Sequence, residues 1–394
     1  MGKRKKEDDE EGQVAAAAGP WASVPIDLLP EILSRVPYRS LCRFKCVSRA
    51  WLALCSDPAV RKRSPQALSG FFCYRGSSPA RSRFDFLNLS GRGRPLVDPS
   101  LSFVRGYQEV TPLHCCGGIL ICYCRRVDMK EAEYVVCNPA TEEIWAVLTA
   151  PRNELIQGLN NTCLCFDPTI RRCFTVFVFM HNCTGISRVE VYSSETGQWT
   201  SMKSEWSPGT VVDSRCVFFN GALHSTTRPR SLDQEGKLIR WMVTVDTEGK
   251  TWRRIQMPHD IDSSGCIWQS QGRLCAAHIR HEYGFQLSVW VLEDYASGKW
   301  TLNHTASILE LLGRPRFEVG ERYMLIAIHP EHNLIFLKGG VRLEETLMSY
   351  DMDSKKLQVI CFLGESQAWR FQPYIPCFVE KPSASDGHEQ LNIC

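Results

Sequence analysis

One phrase recurs along the last three hundred residues, and it restricts the fold more than anything else in the chain. A strand-like run ends near an acidic or amide residue, a turn follows, and an aromatic side chain re-enters. The copies are YVVCNPATEEIW to Trp145, VEVYSSETGQW to Trp199, MVTVDTEGKTW to Trp252 and SVWVLEDYASGKW to Trp300, with a weaker one, MSYDMDSKKL, reaching Leu357. Successive anchors lie 54, 53, 48 and 57 residues apart. A period of about 50 residues is that of propeller blades, and helical solenoids repeat at about 34. Each copy has the physics of a hairpin: Gly197, Gly249 and Gly298 supply the positive φ of a tight turn, and the tryptophan returns to the sheet as a large core anchor.

A single unit of this kind cannot cover its own apolar face, so a ring of stacked blades is expected. Alternating runs such as Val189, Val191 and Leu287, Val289, Val291 give each blade one face toward its neighbour. With Phe71 to Leu89 as a degenerate first blade, the five anchored units make six blades over residues 66–380, or seven if one unit divides differently. The ending PYIPCFVE, from Pro373, is expected to supply a late strand that closes the ring onto the first blade. Residues 381–394 are expected to form a disordered tail.

Ahead of this all-β region stands a different texture, LPEILSRVPYRSLCRFKCVSRAW. Asp27 can cap a helix carrying Leu28, Leu29, Ile32, Leu33 and Val36 on one stripe, with Pro30 in the first turn and Pro37 as the stop. Ser40 can cap a second helix with Leu41, Phe44 and Val47, and a third segment from Ser48 supplies Trp51, Leu52 and Leu54. Three short helices in about thirty residues cannot stabilise themselves. They have more apolar surface than they can hide from one another, so either the rest of this chain or a foreign partner must cover it.

Val24-Pro25, Asp27-Leu28-Leu29, Glu31 through Pro37, Ser40-Leu41, Arg43-Phe44, Cys46 through Arg49 and Trp51 closely resemble, in order and spacing, the F-box of plant F-box proteins. The resemblance runs from Trp21 to Pro58 within a domain set at 21–62; Val24 departs from the family's usual leucine. Asn138-Pro139-Ala140-Thr141 with Trp145 is similar to the characteristic phrase of the F-box associated, kelch-like propeller that often follows a plant F-box. The fold class so implied is multidomain: a small all-α F-box and an all-β propeller, six blades being the preferred count. The resemblance implies a Skp-type adaptor, and through it a cullin ligase, as partner. It assigns Pro25, Leu28, Ile32, Leu33, Val36, Leu41, Val47 and Trp51 to the adaptor face or to the packing beneath it.

The rest of the sequence narrows the chemistry. Net charge is +3 over 394 residues, so no general attraction to nucleic acid or anionic membrane is indicated. The arginines at 75, 81, 83, 92, 94 and 105 read as loop residues of the first blade, not as a nucleic-acid surface. No apolar run approaches the ~18 residues of a membrane span. Residues 1–20, MGKRKKEDDEEG onward, form an expected disordered charged tail with no secretory pattern; Gly2 lacks the Ser or Thr at position 6 that myristoylation wants. Lys3 to Lys6 could serve as a nuclear address, so a cytoplasmic or nuclear location is expected.

The nineteen cysteines, odd in number and set in apolar runs, read as reduced small hydrophobes. None forms a Cys-x-x-Cys pair. Cys122-x-Cys124 and Cys163-x-Cys165 each share one strand face, and His329-Pro330-Glu331-His332 reads as a turn, so no metal, cofactor or catalytic residue is assigned. Asp246 through Trp252 misses the aspartate box of sialidases, because Thr247 stands where that box needs Asp. The expected function is a substrate receptor of a Skp-cullin-F-box ubiquitin ligase, not an enzyme. A non-degradative binding scaffold, and behind it a propeller enzyme, are the alternatives.

Overall fold

The computed structural model describes residues 25–36, 38–57, 60, 68–75, 83–89, 97–126, 132–149, 162–168, 173–182, 185–206, 212–227, 231–232, 238–258, 261, 265–281, 285–341, 344–363, 368–379 and 381. The chain divides into two compact units between Pro65 and Gln66. The expected tails at 1–20 and 381–394, apart from Lys381, whose Nζ donates to Ile144 O at 3.1 Å, lie outside the described residues, as do the lysines at 3–6, Val24, Arg81, Arg92 and Arg94. Arg105 is exposed.

In the first unit a 3-10 turn, Ile26–Leu28, leads into α1 (Leu29–Leu33), followed by α2 (Tyr38–Phe44) and α3 (Arg49–Ser56). Ser48 caps α3 as expected, its hydroxyl accepting from Trp51 N. Two other expected caps are corrected. Asp27 sits inside the 3-10 turn, closed by Leu28 N donating to Pro25 O, and Leu28 takes the N-cap position without a side-chain bond. Ser40 lies within α2, which begins two residues earlier. Each helix gives one residue to a small core of Leu33, Leu41 and Cys55, joined by Val60, with Val36, Phe44, Trp51 and Leu54 around it.

The second unit is a six-bladed propeller. Five blades are four-stranded antiparallel sheets whose strands follow chain order from the centre outward. Their inner strands are Glu109–Cys116 (blade 2), Thr162–Cys165 (blade 3), Val212–Phe219 (blade 4), Cys266–Ser270 (blade 5) and Arg322–Ile328 (blade 6). Blade 1 is assembled from both ends of the unit: Gly70–Arg75 pairs with Arg83–Asn88 on one side and with the late strand Ala368–Tyr374 on the other. Ala368–Tyr374 touches the inner strands of blades 2 and 6, and the remaining inner strands meet in sequence, so the circuit is closed. A two-stranded ribbon, Ser231–Leu232 with Leu238–Ile239, stands between the second and third strands of blade 4.

The closing strand lies earlier than expected: it ends at Tyr374, and most of PYIPCFVE runs on beyond it. Pro373 is tolerated in it because an innermost strand has one unpaired edge, where a missing N-H leaves no ladder bond broken. The segment after the strand is a strap. In it Cys377 O accepts from Asn138 Nδ2 at 2.9 Å, while Gln372, within the closing strand itself, donates from Nε2 to Leu113 O at 2.8 Å. Gly118, at φ 84°, turns directly beneath this strap; a Cβ there would strike Ile375 O and come within 2.6 Å of Cys377 N. Gly118→Ala is therefore expected to cost about 3 kcal/mol from combined backbone strain and overpacking, read as a lowered thermal midpoint.

The core sits between the blades, as stacking requires. Leu287, Val289 and Val291 of blade 5 join Leu325, Ala327, Ile335 and Leu337 of blade 6 and Phe71 of blade 1 in one apolar cluster. Blades 3 and 4 share another, with Phe177, Val189, Val191, Val243 and Val245. Cys122 and Cys124 lie together in the cluster between blades 1 and 2, and Cys163 and Cys165 in that of blades 3 and 4, so each Cys-x-Cys pair does share a face. The reading of every cysteine as reduced needs one correction. Cys163 and Cys216 are joined as a disulfide, with Cα atoms 6.6 Å apart. They occupy neighbouring inner strands, a closeness that their separation of 53 residues cannot reveal.

The recurring phrase is the turn from third to fourth strand of blades 2 to 6, and the structure explains its polar residue. Asp246 accepts from Lys250 N at 2.8 Å and Thr251 N at 2.9 Å, Asp294 from Ala296 N at 2.9 Å, and Asp351 from Asp353 N at 2.9 Å. Asn138 Oδ1 does the same for Ala140 N, and Ser193 Oγ for Glu195 N. The side chain satisfies turn amides that have no strand partner. The aromatic anchors lie on the outermost strands and clamp neighbouring units more than they fill a deep core. Trp145 packs edge-on against Phe166 at 5.2 Å, Trp252 against Trp206 at 4.8 Å, and Trp300 Nε1 donates to Gln256 O of blade 4 at 3.0 Å.

Candidate functional site

The helical unit separates the eight residues assigned to the adaptor face or to the packing under it. Leu33 and Leu41 are 1% and 0% exposed and form the floor. Val36 and Trp51 are half-buried against that floor, and the Trp51 ring meets Phe44 edge-to-face at 5.6 Å. Leu28, Ile32 and Val47 remain 52%, 46% and 64% exposed, and Pro25 is exposed as well. Leu52, on α3, is 47% exposed and was not among the eight. Leu28 and Ile32 stand four residues apart on one helical run and so share a face. Around them, Arg35 and Glu31 form an exposed ion pair that contributes little to stability.

An apolar core of this size is small for the chain it must order. The exposed leucine, isoleucine and valine are the surface through which further stabilisation can come.

On the propeller, a cleft of about 740 Å³ opens beside the first turns of blades 4 and 5, lined by Phe219, His224, Asp246, Arg253, Arg273 and Tyr295 among others. His224 Nδ1 donates to Ala222 O at 3.0 Å, and its Nε2 accepts from the Tyr295 hydroxyl at 2.9 Å. Burial pushes His224 down to about 4, outweighing its backbone hydrogen bonds, so the ring is neutral and both nitrogens are occupied. Asp246 is taken by the turn amides already described. His224 and Asp246 are thus both held by fixed partners within the cleft.

His329 Nδ1 accepts from Glu331 N and His332 N at 3.0 and 3.1 Å, which makes the His329–His332 segment a turn. Among the described residues no three His, Cys, Asp or Glu side chains converge on a metal position. Among them, too, no helix is long and apolar enough to cross a membrane. A second surface, the loop between blades 5 and 6, carries Phe317 and Val319 at 61% and 97% exposed. Sequence pattern passed over that loop because isolated aromatics in a charged stretch carry no periodic signal.

Comparison with known proteins agrees with this division. Residues 21–63 match the F-box domain, and residues 93–380 match the F-box associated β-propeller domain. The chain is 26% identical over 311 residues to the Arabidopsis thaliana F-box protein At5g07610, covering 72% of this chain and 70% of that protein. It is 23% identical over 340 residues to the F-box protein At5g49610 of the same plant, covering 79% and 87%. With helical and propeller units both accounted for, the chain belongs to the F-box proteins that carry an F-box associated β-propeller domain.

Proposed function

We propose that this protein is a substrate receptor of a Skp-cullin-F-box ubiquitin ligase, acting in the cytoplasm or nucleus. The F-box docks on a Skp-type adaptor, with Pro25, Leu28, Ile32 and Val47 on the contact face, Val36 and Trp51 at its margin, and Leu33 and Leu41 supporting it from below. The observation that carries the reading is the exposure of Leu28, Ile32 and Val47 on helices whose own core is so small. The propeller holds a target protein, and no residue of this chain performs chemistry. Catalysis is by proximity, since the receptor raises the effective concentration of target lysines beside a ubiquitin-charged enzyme bound elsewhere in the assembly.

The test is reconstitution with adaptor, cullin and ubiquitin-charging enzymes. Proteins that co-purify with the propeller under proteasome inhibition are expected to gain ubiquitin only when this chain is present, and to lose it when Ile32 is changed to Asp. Capture of targets whose turnover is unaffected by this protein would replace the receptor with a non-degradative scaffold.

A further inference from the structure

Among the described residues, the seam between blades 3 and 4 is the one place where the ring is tied by a covalent bond. Cys163 of blade 3 and Cys216 of blade 4 form a disulfide across a sequence separation of 53 residues. The backbone on both sides of it is weakly laddered. At four residues, Thr162–Cys165 is the shortest inner strand described, and the inner strand of blade 4 shifts register between Val212 and Cys216. Blade 2 adds a third strand to the junction. His114 Nδ1 accepts from Leu164 N at 3.1 Å, which leaves the proton on Nε2, and Nε2 donates to Cys216 O at 3.4 Å. The disulfide and this imidazole knit three successive inner strands together. A cross-link between strands with few ladder bonds stabilises where those bonds are missing, and it restricts the unfolded chain as well.

The two sulfurs differ in reach. Cys163 is buried, whereas Cys216 is half-buried, so a soluble thiol meets Cys216 first. With Cα atoms 6.6 Å apart, inside the span that a disulfide bridges, the bond can open and reclose without moving either backbone. Cys165, on the same strand face as Cys163, is buried too, and burial pushes its thiol well above the ordinary value, so it supplies no thiolate to scramble the pair. In cytoplasm and nucleus, glutathione keeps thiols reduced, and the disulfides that form there are usually transient or redox-sensing.

We propose that Cys163–Cys216 is a reversible redox staple: oxidised, it fastens the inner strands of blades 3 and 4, and reduced, it lets them loosen while the apolar cluster between the two blades keeps the ring together. This goes beyond the receptor reading and rests on it only for the reducing compartment. The exchange partner is glutathione or a thiol of the same class. One glutathione thiolate attacks the Cys216 sulfur, and Cys163 leaves as a thiolate that takes up a proton. A second attacks the glutathione sulfur of the mixed disulfide, so that Cys216 leaves and is protonated in turn. Two glutathione thiols become one glutathione disulfide as the protein bond becomes two thiols, and reoxidation runs the same steps backward.

The full-length chain is equilibrated in glutathione buffers running from wholly oxidised to about a hundredfold excess of the reduced form, quenched in acid, alkylated and mapped by mass spectrometry. Cys163 and Cys216 are expected to titrate together, from a disulfide at the oxidised end to two alkylated thiols at the reduced end, with Cys165 a thiol throughout. Reduction is expected to lower the thermal midpoint by about 5 °C. It is also expected to quicken amide exchange about tenfold in residues 162–165 and 216–219, with blade 6 unchanged. Cys216→Ser is expected to show the reduced midpoint in every buffer, and should that variant not fold, the titration of the unaltered chain decides alone. A pair that stays open in wholly oxidised glutathione, or stays closed at the reducing end, overturns the proposal. So does a complete titration that moves neither midpoint nor exchange. Adaptor binding enters none of these readouts, so loss of the staple leaves the receptor reading standing, and failure of adaptor capture leaves the staple.

Discussion

A chain ending at Leu363 is expected to lose the cooperative unfolding transition of its propeller. The deleted strand and strap carry Phe371, Tyr374, Cys377 and Val379, each under a tenth exposed. Tyr374 also closes an aromatic cluster on Phe72 and Phe86 at ring distances of 5.0 and 5.9 Å. Four buried apolar side chains at about 2 kcal/mol each, with the newly bared faces of blades 1 and 2, amount to most of the 5–15 kcal/mol typical of a whole domain. Scanning calorimetry is expected to show a broad, low-enthalpy melt in place of a sharp one. A sharp transition near the full-length midpoint would mean that Ala368–Tyr374 does not hold the ring closed.

The second large effect concerns the helical unit. Ile32→Asp combined with Val47→Asp is expected to weaken adaptor binding at least 100-fold, about 3 kcal/mol, because two carboxylates would be buried without partners in an interface that also loses two apolar contacts. Folding is expected to persist, since both positions are about half exposed or more. Leu33→Asp serves as the contrast: at 1% exposed it puts a charge into the core and unfolds the unit. Titration calorimetry read beside circular dichroism separates the two outcomes.

How far the sequence leads depends on whether a feature is local. The third-to-fourth-strand turns were legible because an Asp, Asn or Ser, a turn and a re-entering apolar side chain, a tryptophan in four copies and Leu357 in the fifth, lie within a dozen residues, and the same local physics fixes each copy. The register of the closing strand was not, because Ala368–Tyr374 is defined by pairing with Gly70–Arg75 at the other end of the unit. The Cys163–Cys216 bond is invisible for the same reason, being a product of blade neighbourhood. In the helical unit the apolar stripe was evident, yet a stripe does not say which of its members face inward. The first turn, Ile26–Leu28, absorbed Asp27 and rotated Leu28 and Ile32 outward while Leu33 went to the floor.

Amide hydrogen exchange on the full-length chain, with and without a saturating Skp-type adaptor, tests most directly whether another polypeptide covers this helical surface. The account predicts strong slowing of exchange across residues 26–36 and 44–52 on adding the adaptor, with the propeller strands unchanged. Exchange in those two segments that is the same in both samples would contradict it.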